Sequence, residues 1–553
     1  MAENLLNLQE AAKKLGIKPI TLRKWDREGK LKAVRVGARG DRKYREQDLL
    51  EFLEKSKQKK IEWLEYIRSG TSYHQSIHPL EALRSGIKKY FDINAKYLMN
   101  YFENSTLFWY YDKNNLYEIG KKVIEKFLSS KDFENNFFKS WDEKSAELLA
   151  FIKNTPKEKV EKMKTSELAL HYKKFAQIIY EFYSIVMAID GTDESLAIDI
   201  NEKIKNILKN KLKEKYTERE FIRIYNISTM PSQLSYLNDE RKMVLETIKD
   251  LKSGRIINSS QEFKARIQKL VELFWWTNLG WPREKGKDFS YFDSEIKSNK
   301  KSEKEVQNEL DEIQKYKEKA KKEKNAVEKE YNLSKDKELA EYLRILDRLF
   351  IYHDFRKEVQ MKYNYYEFQI LDEISKRSKV HASLLDWCLP EEIISILQKG
   401  ELNENEINQR KEHFLYFNNN GKISTWSGIH ASKEHEKILG DHIGDVKDLQ
   451  GISASPGKVV GEAFVAITLA NTHKIKPGQI LITGMTTPDF LPAMKKASAL
   501  VTDEGGITCH AAIVSRELGV PCIVGTKSAT RTIKTGDLVE VDANHGVIRI
   551  LEK

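Results

Sequence analysis

The sequence predicts a multidomain protein of α plus α/β class, and three observations predict it. A short, basic, Gly-punctuated front segment pairs two compact helical patterns with a hairpin pattern. A long middle segment is poor in Gly and Pro, and its apolar residues recur at helical spacing. In the last hundred residues Gly and Pro return, with short β-branched runs. These shifts divide the chain into residues 1–56, 57–445 and 446–553, and 553 residues are enough for several hydrophobic cores.

Bulk composition excludes some classes. Hydrophobic residues make up 40% and charged residues 32%, and no stretch approaches the ~20 apolar residues of a membrane helix. Met1 to Glu10 has no basic region followed by an apolar run, so no secretory signal is expected. Three cysteines, Cys388, Cys509 and Cys522, form neither a metal-ligand spacing nor a disulfide framework. A cytoplasmic protein with no membrane partner and no metal site is the expectation. The net charge of +11 is concentrated, because Ala11 to Arg45 holds 13 Lys and Arg against three acids. Such a patch suits a polyanion such as nucleic acid.

In the front segment, Asn7 followed by Glu10 has the layout of a helix N-cap with a reciprocal acid. The helix runs to Leu15 and buries Leu8, Ala11, Ala12 and Leu15. Gly16-Ile17 turns the chain, and Pro19 opens a second helix at no hydrogen-bond cost. That helix turns Thr21, Arg23, Lys24 and Arg27 outward and Ile20, Leu22 and Trp25 inward, and Gly29 ends it. Strands at Leu31 to Val36 and Arg42 to Arg45 flank a loop, Gly37 to Asp41, and a helix from Glu46 to Leu53 closes the unit. This is a winged helix-turn-helix layout. The strings Leu8-Gln9-Glu10-Ala11-Ala12, Thr21-Leu22-Arg23-Lys24-Trp25, Glu28-Gly29-Lys30-Leu31 and Arg42-Lys43-Tyr44-Arg45 resemble the MerR and excisionase-type DNA-binding domain. The resemblance implies DNA as partner. Thr21, Arg23, Lys24 and Arg27 lie on the helix that enters the major groove, and Arg39, Arg42 and Lys43 on the wing. Single modules bind weakly, so specific binding implies a homodimer.

The middle segment reads as amphipathic helix, as in Leu339, Tyr342, Leu343, Leu346, Leu349 and Phe350. Residues 298–337 are dominated by Lys and Glu and read as a solvated helical arm or hairpin. Phe274-Trp275-Trp276 and Trp281-Pro282 read first as core packing, with an acceptor pocket as the alternative. No Gly-rich phosphate loop and no strand-rich block is visible between Tyr66 and Gly440.

The final segment alternates strands at Val459 to Ala466, Gln479 to Thr483, Ala499 to Thr502, Cys522 to Val524 and Leu538 to Val541 with helices near Phe490 to Lys496 and Ala511 to Leu518. The informative run is Thr502-Asp503-Glu504-Gly505-Gly506-Ile507-Thr508-Cys509-His510. A strand delivers a Gly pair that permits close approach. Thr508 then caps a helix and places His510 in its first turn, where free N–H groups and the helix dipole favour an anion. The same positive end keeps the imidazole neutral and nucleophilic. His510 is therefore the candidate phosphoryl carrier, with Cys509 beside it as a packing residue.

That run, with Gly451-Ile452-Ser453-Ala454-Ser455-Pro456-Gly457, Thr486-Thr487-Pro488-Asp489 and Gly536-Asp537, resembles the swivelling phosphohistidine domain of the phosphoenolpyruvate-utilising enzymes. The resemblance implies a β/β/α domain in which His510 accepts and passes on a phosphoryl group. Thr508, Gly505 and Gly506 would hold the phosphate, with Arg516 or Glu517 at the rim. Family enzymes load this histidine from ATP through an ATP-grasp domain, with Mg, or from phosphoenolpyruvate in a barrel. With neither read in this chain, the resemblance implies a separate ATP-grasp protein as donor and an unknown small-molecule acceptor. Leu389-Pro390-Glu391-Glu392-Ile393, Asn408-Gln409-Arg410-Lys411 and His353-Asp354-Phe355-Arg356-Lys357-Glu358 are similar to the acceptor-side helices of rifampicin phosphotransferase-like proteins. A rival reading is a transcription regulator whose phosphohistidine domain acts only as a sensor.

Overall fold

The structure is a computed structural model. It describes residues 5–15, 18–27, 31–36, 41–46, 48–49, 61–69, 71–188, 192, 200–212, 216–229, 236–279, 285–439, 448–466, 469–486, 490–505, 509–526 and 528–552. The chain separates into two compact units, Met1–Glu62 and Trp63–Lys553.

In the first unit the order is β1 (Leu5–Asn7), α1 (Leu8–Lys14), α2 (Pro19–Arg27), β2 (Val34–Val36) and β3 (Asp41–Arg45). The expected cap is present. Asn7 Oδ1 accepts from the amides of Gln9 and Glu10 at 2.9 and 3.0 Å, and Glu10 Oε2 accepts from the Asn7 amide at 2.8 Å. The strands form an antiparallel sheet in the order β1-β3-β2. Strand β1 went unread because three residues are too few to show a period. Ala11, Ala12, Leu22, Leu31, Tyr44 and Leu49 make the core. One expectation fails. Ile20 is 68% exposed rather than inward, because Leu22 and the two alanines of α1 already fill the small core.

The second unit begins with a correction. The middle segment carries a five-stranded antiparallel sheet as well as helices, in the order β4-β6-β5-β7-β8. Its strands are β4 (Trp63–Ser69), β5 (Tyr97–Glu103), β6 (Thr106–Asp112), β7 (His413–Asn419) and β8 (Lys422–Ser427). Tyr, Phe and Trp suit a pleated, half-buried surface. Asn104 and Ser105 join β5 to β6 with φ of 48° and 65°, and Asn420 and Gly421 join β7 to β8 with φ of 50° and 95°. Such two-residue turns match the twist of the paired strands. The sheet draws on both ends of the segment, with about three hundred residues between β6 and β7, so no block of strands shows in the sequence.

Against this sheet pack α3 (Tyr73–Glu81), α4 (Thr165–Val186) and the 42-residue α6 (Lys337–Ser378), in one core running from Leu64 to Tyr416. The Lys/Glu-rich stretch is α5 (Glu303–Glu330), opened by a Ser302–Glu305 capping box. It is not a freely solvated arm. Val306 and Val327 are 0% and 2% exposed and sit in two different cores. Phe274 and Trp276 are buried as core packing, while Trp281-Pro282 lies outside the described residues.

The C-terminal part forms an eight-stranded sheet in the order β10-β14-β13-β12-β11-β15-β16-β9. Its elements are β9 (Asp448–Gln450), β10 (Ile452–Ser455), β11 (Lys458–Val465), β12 (Ile480–Thr483), β13 (Ala499–Thr502), α7 (His510–Leu518), β14 (Cys522–Val524), α8 (Ala529–Thr532), β15 (Leu538–Asp542) and β16 (Val547–Glu552). Strands β11 to β14 run parallel, and β12, β13 and β14 are wholly buried. A parallel sheet covered on both faces reads as continuous apolar runs. One face packs on Ala511, Ala512 and Val514 of α7, the other on Ala529 and Ile533. No described helix is long and apolar enough to cross a membrane.

Candidate functional site: His510 at a helix N-terminus

Strands β12 and β13 end side by side, and the chain leaving each contributes to one site. At the end of β13, Asp503 accepts from Thr526 Oγ1 at 2.9 Å and from the Ala529 amide at 2.5 Å. This ties the strand end to the start of α8. Gly505 follows at φ +109°, and a Cβ there would stand 2.6 Å from Cys509 Sγ. Glycine is therefore required twice, by its backbone angle and by the sulfur packed against it.

The helix begins one residue later than expected. Cys509 is the N-cap, with no side-chain cap bond, and His510 is the first helical residue. Gly506 and Thr508, expected to hold phosphate, lie outside the described residues, as do Arg39 of the basic loop and the Glu517 side chain. Burial pushes the Cys509 thiol up, which keeps it protonated and suits a packing role.

His510 is partly buried. Its Nδ1 lies 2.8 Å from Thr486 Oγ1, on the chain leaving β12. Burial first, and then the positive charge of Lys357 on α6, push the imidazole down to about 4. The ring is neutral at physiological pH. Of the two tautomers, the one whose Nδ1–H donates to Thr486 leaves the lone pair on Nε2.

The sequence reading missed Thr486 and Lys357 as site residues, although both stood within strings it singled out. The signal for Thr486 was topological, since side chains from the carboxyl ends of neighbouring parallel strands converge. Arg516 lies in the last turn of the same helix as His510. Its Nη1 donates to the Ala454 carbonyl at 3.4 Å.

The helices around Lys357 add further groups. Burial raises the Asp354 carboxyl from its ordinary value, against the field of Lys357. Tyr236 stacks at a tilt on Trp276 at 4.7 Å, and Lys362 lies 5.6 Å above the Trp276 ring. His353 Nε2 lies 3.3 Å from Arg356 Nη2. Between the two parts of the unit, Arg531 of α8 grips Glu65 of β4 with both guanidinium nitrogens, at 3.1 and 2.5 Å.

In the front unit, Arg23, Lys24 and Arg27 are exposed on α2 and Thr21 is partly so. Arg42 is engaged, donating to the Asp26 carboxylate at 2.7 Å, and Arg35 joins the same carboxylate at 2.8 Å. Lys43 is partly buried on β3. Among the described residues, no group of three or more His, Cys, Asp and Glu side chains could hold a metal ion.

Comparison with known proteins identifies two domains. Residues 475–546 match the PEP-utilising enzyme mobile domain, and residues 5–57 match a helix-turn-helix domain. A stretch of 163 residues, 29% of this chain, is 40% identical to phosphoenolpyruvate synthase of Pyrococcus furiosus and covers 20% of it. A stretch of 100 residues, 18% of this chain, is 55% identical to the probable phosphoenolpyruvate synthase of Pyrococcus horikoshii and covers 12% of it. The matches thus span a fifth or less of these relatives' length. Aconitase X of Thermococcus kodakaraensis aligns over 19% of this chain and 98% of its own, with 22% identity and a TM-score of 0.16. The chain carries a PEP-utilising enzyme mobile domain behind an N-terminal helix-turn-helix domain.

Proposed function

We propose that this protein is a phosphoryl carrier that works with a separate donor protein and is tethered to DNA by its front domain. The observation that supports it best is the imidazole of His510 at the first turn of α7, kept neutral by burial and with Nδ1 2.8 Å from Thr486 Oγ1. In loading, Nε2 attacks the donor's phosphorus. A P–N bond forms, the P–O bond to the donor breaks, and the donor oxygen leaves with the electron pair. The N–H groups opening α7 offer donors to the phosphoryl oxygens. The source is ATP, used with Mg by an ATP-grasp type partner, or phosphoenolpyruvate.

In unloading, the hydroxyl of a small-molecule acceptor attacks the phosphorus and the P–N bond breaks. Lys357 supports placing this step at α6, because its charge already reaches His510. Asp354, held at raised proton affinity, is suited to take the hydroxyl proton. Tyr236, which packs on the buried Trp276, would form part of the wall of that acceptor site. Arg516 and the residues Gly505, Gly506 and Thr508 keep their proposed place around the phosphate.

At the front, Arg23, Lys24 and Arg27, with Thr21, supply the groove contacts of a MerR-like or excisionase-like reader, and Arg39, Arg42 and Lys43 its wing. A homodimer supplies the affinity that one module lacks. The experiment is a chase. Label placed on His510 should move into a small molecule when a cell extract cleared of protein is added. Label that stays on the protein while DNA affinity changes would favour a sensor instead.

A further inference from the structure

The longest helix of the body buries polar groups that neither the fold nor the phosphoryl site uses. On one face of α6, Gln360, Asn364 and Glu367 recur at helical spacing and are 8%, 1% and 1% exposed. Helix α4 meets it where His171 lies 2.9 Å from Tyr366 and Tyr183 lies 2.5 Å from Tyr363. Helix α3 runs parallel to α4, with Tyr172 on His74 at 2.8 Å and Tyr180 on Ser85, just past α3, at 3.1 Å. His74 meets Glu367 at 3.1 Å, and His78, one turn further along α3, has its ring centroid 6.3 Å from that of His74.

At His74 the hydrogen bonding closes. His74 Nδ1 lies 2.9 Å from the Cys388 carbonyl, and Nε2 lies 3.1 Å from Glu367 Oε1. Elsewhere it stays open. Glu367 Oε2, both amide atoms of Asn364 and His78 Nε2 have no partner among the described residues, and His78 is only 6% exposed. Folded proteins bond nearly all their buried polar atoms. Four unbonded atoms on three side chains, where three helices meet, mark a place for something polar.

Charge narrows what that is. Burial works against protonation of His74, but the Glu367 carboxylate outweighs it and raises the ring, so the two form a balanced pair. Burial, with the charge of His74, pushes His78 down to about 3 and keeps it neutral. The junction carries no net charge to recruit an ion. It offers acceptors at Glu367 and Asn364 and donors at Asn364, a mixture that hydroxyl groups match because each both donates and accepts.

We propose that the junction of α3, α4 and α6 is a binding pocket for a small, uncharged, hydroxyl-bearing molecule held by Asn364, Glu367 and His78. The test is isothermal titration of the full, unphosphorylated chain with ribose, glucose, myo-inositol and adenosine, each at millimolar concentration. At least one probe should bind saturably at one per chain. Binding should weaken at least tenfold in Asn364→Leu, and in Glu367→Gln, which keeps the shape and carries the test alone if Asn364→Leu does not fold. If none of the four binds, or if binding survives in the variants that fold, water alone fills the junction and the proposal is overturned. No phosphoryl donor is present, so this outcome is read separately from the fate of the His510 account.

Discussion

Thr486 Oγ1 stands 2.8 Å from His510 Nδ1, so a residue 24 positions upstream fixes the ring that opens α7. The bond restrains the imidazole through its Nδ1 edge. Thr486→Val keeps the shape and removes the hydroxyl. One such bond contributes about 1 kcal/mol, so phosphorylation of His510 should slow several-fold. Single-turnover labelling measures this directly. An unchanged rate would mean that the ring is held by something else.

The depressed proton affinity of His510 gives a pH signature. Its folded value of about 4 lies below the ordinary 6.5, so the neutral, reactive form persists well into the acid range. Labelling should hold from pH 7 to about pH 5, where an unperturbed histidine would lose most of its reactive form. The same shift acts on stability. Above pH 6.5 the folded and unfolded chains are both unprotonated at this ring, and as pH falls from 6.5 to 4 protonation favours the unfolded chain. Lys357→Met should move the labelling profile toward neutral pH by removing one of the two causes.

Gly505 takes φ +109° with Cys509 Sγ against it. Gly505→Ala must strain the backbone and displace the sulfur, at a cost of about 1–3 kcal/mol. Thermal denaturation of the C-terminal part of the unfolding profile should shift down accordingly. Adding Cys509→Ala should recover part of the loss, because it removes the steric portion and leaves the angular one.

In the front unit, Asp26 accepts from the Ala33 amide at 2.9 Å as well as from Arg35 and Arg42. Burial works to raise its carboxyl, but the Ala33 amide and the two guanidiniums outweigh it and hold it below its ordinary 3.8. The stabilisation is complete above that ordinary value and is lost as pH falls through the depressed one. Asp26→Ala should cost this unit about 1–3 kcal/mol, a range lowered by the exposure of both arginines. Chemical denaturation of the front unit at pH 7 measures it.

On the DNA reading, Arg23→Ala and Lys24→Ala should each weaken binding and reduce the salt slope by about 1. Ile20→Ala, a change at an exposed position, should leave the slope alone. Titrations at several salt concentrations distinguish the two.

Local chemistry was legible in the sequence wherever its determinants lie close together. Asn7 and Glu10 announce their own capping box, Pro19 opens its helix, and the buried parallel strands show as short apolar runs. His510 could be placed at a helix start because the glycines and the apolar face of α7 adjoin it. The five-stranded sheet was not legible as a unit, since β6 and β7 are separated by most of the helical body. Its turns were nonetheless written locally, in Asn104-Ser105 and Asn420-Gly421. Thr486 and Lys357 were missed for the same reason as the sheet, because only the fold brings them to His510. The polar junction at Asn364 was hidden because one Asn and one Glu within a 42-residue helix look like solvent-facing residues until their burial is known.

The most direct measurement is to incubate the full chain with labelled ATP and an ATP-grasp type partner, or with labelled phosphoenolpyruvate, and to follow the label. The account predicts a stoichiometric label on the protein that is labile to acid, stable to base and absent from His510→Ala. Failure of wild-type protein to acquire label from any of these sources, or equal labelling of His510→Ala, would contradict it.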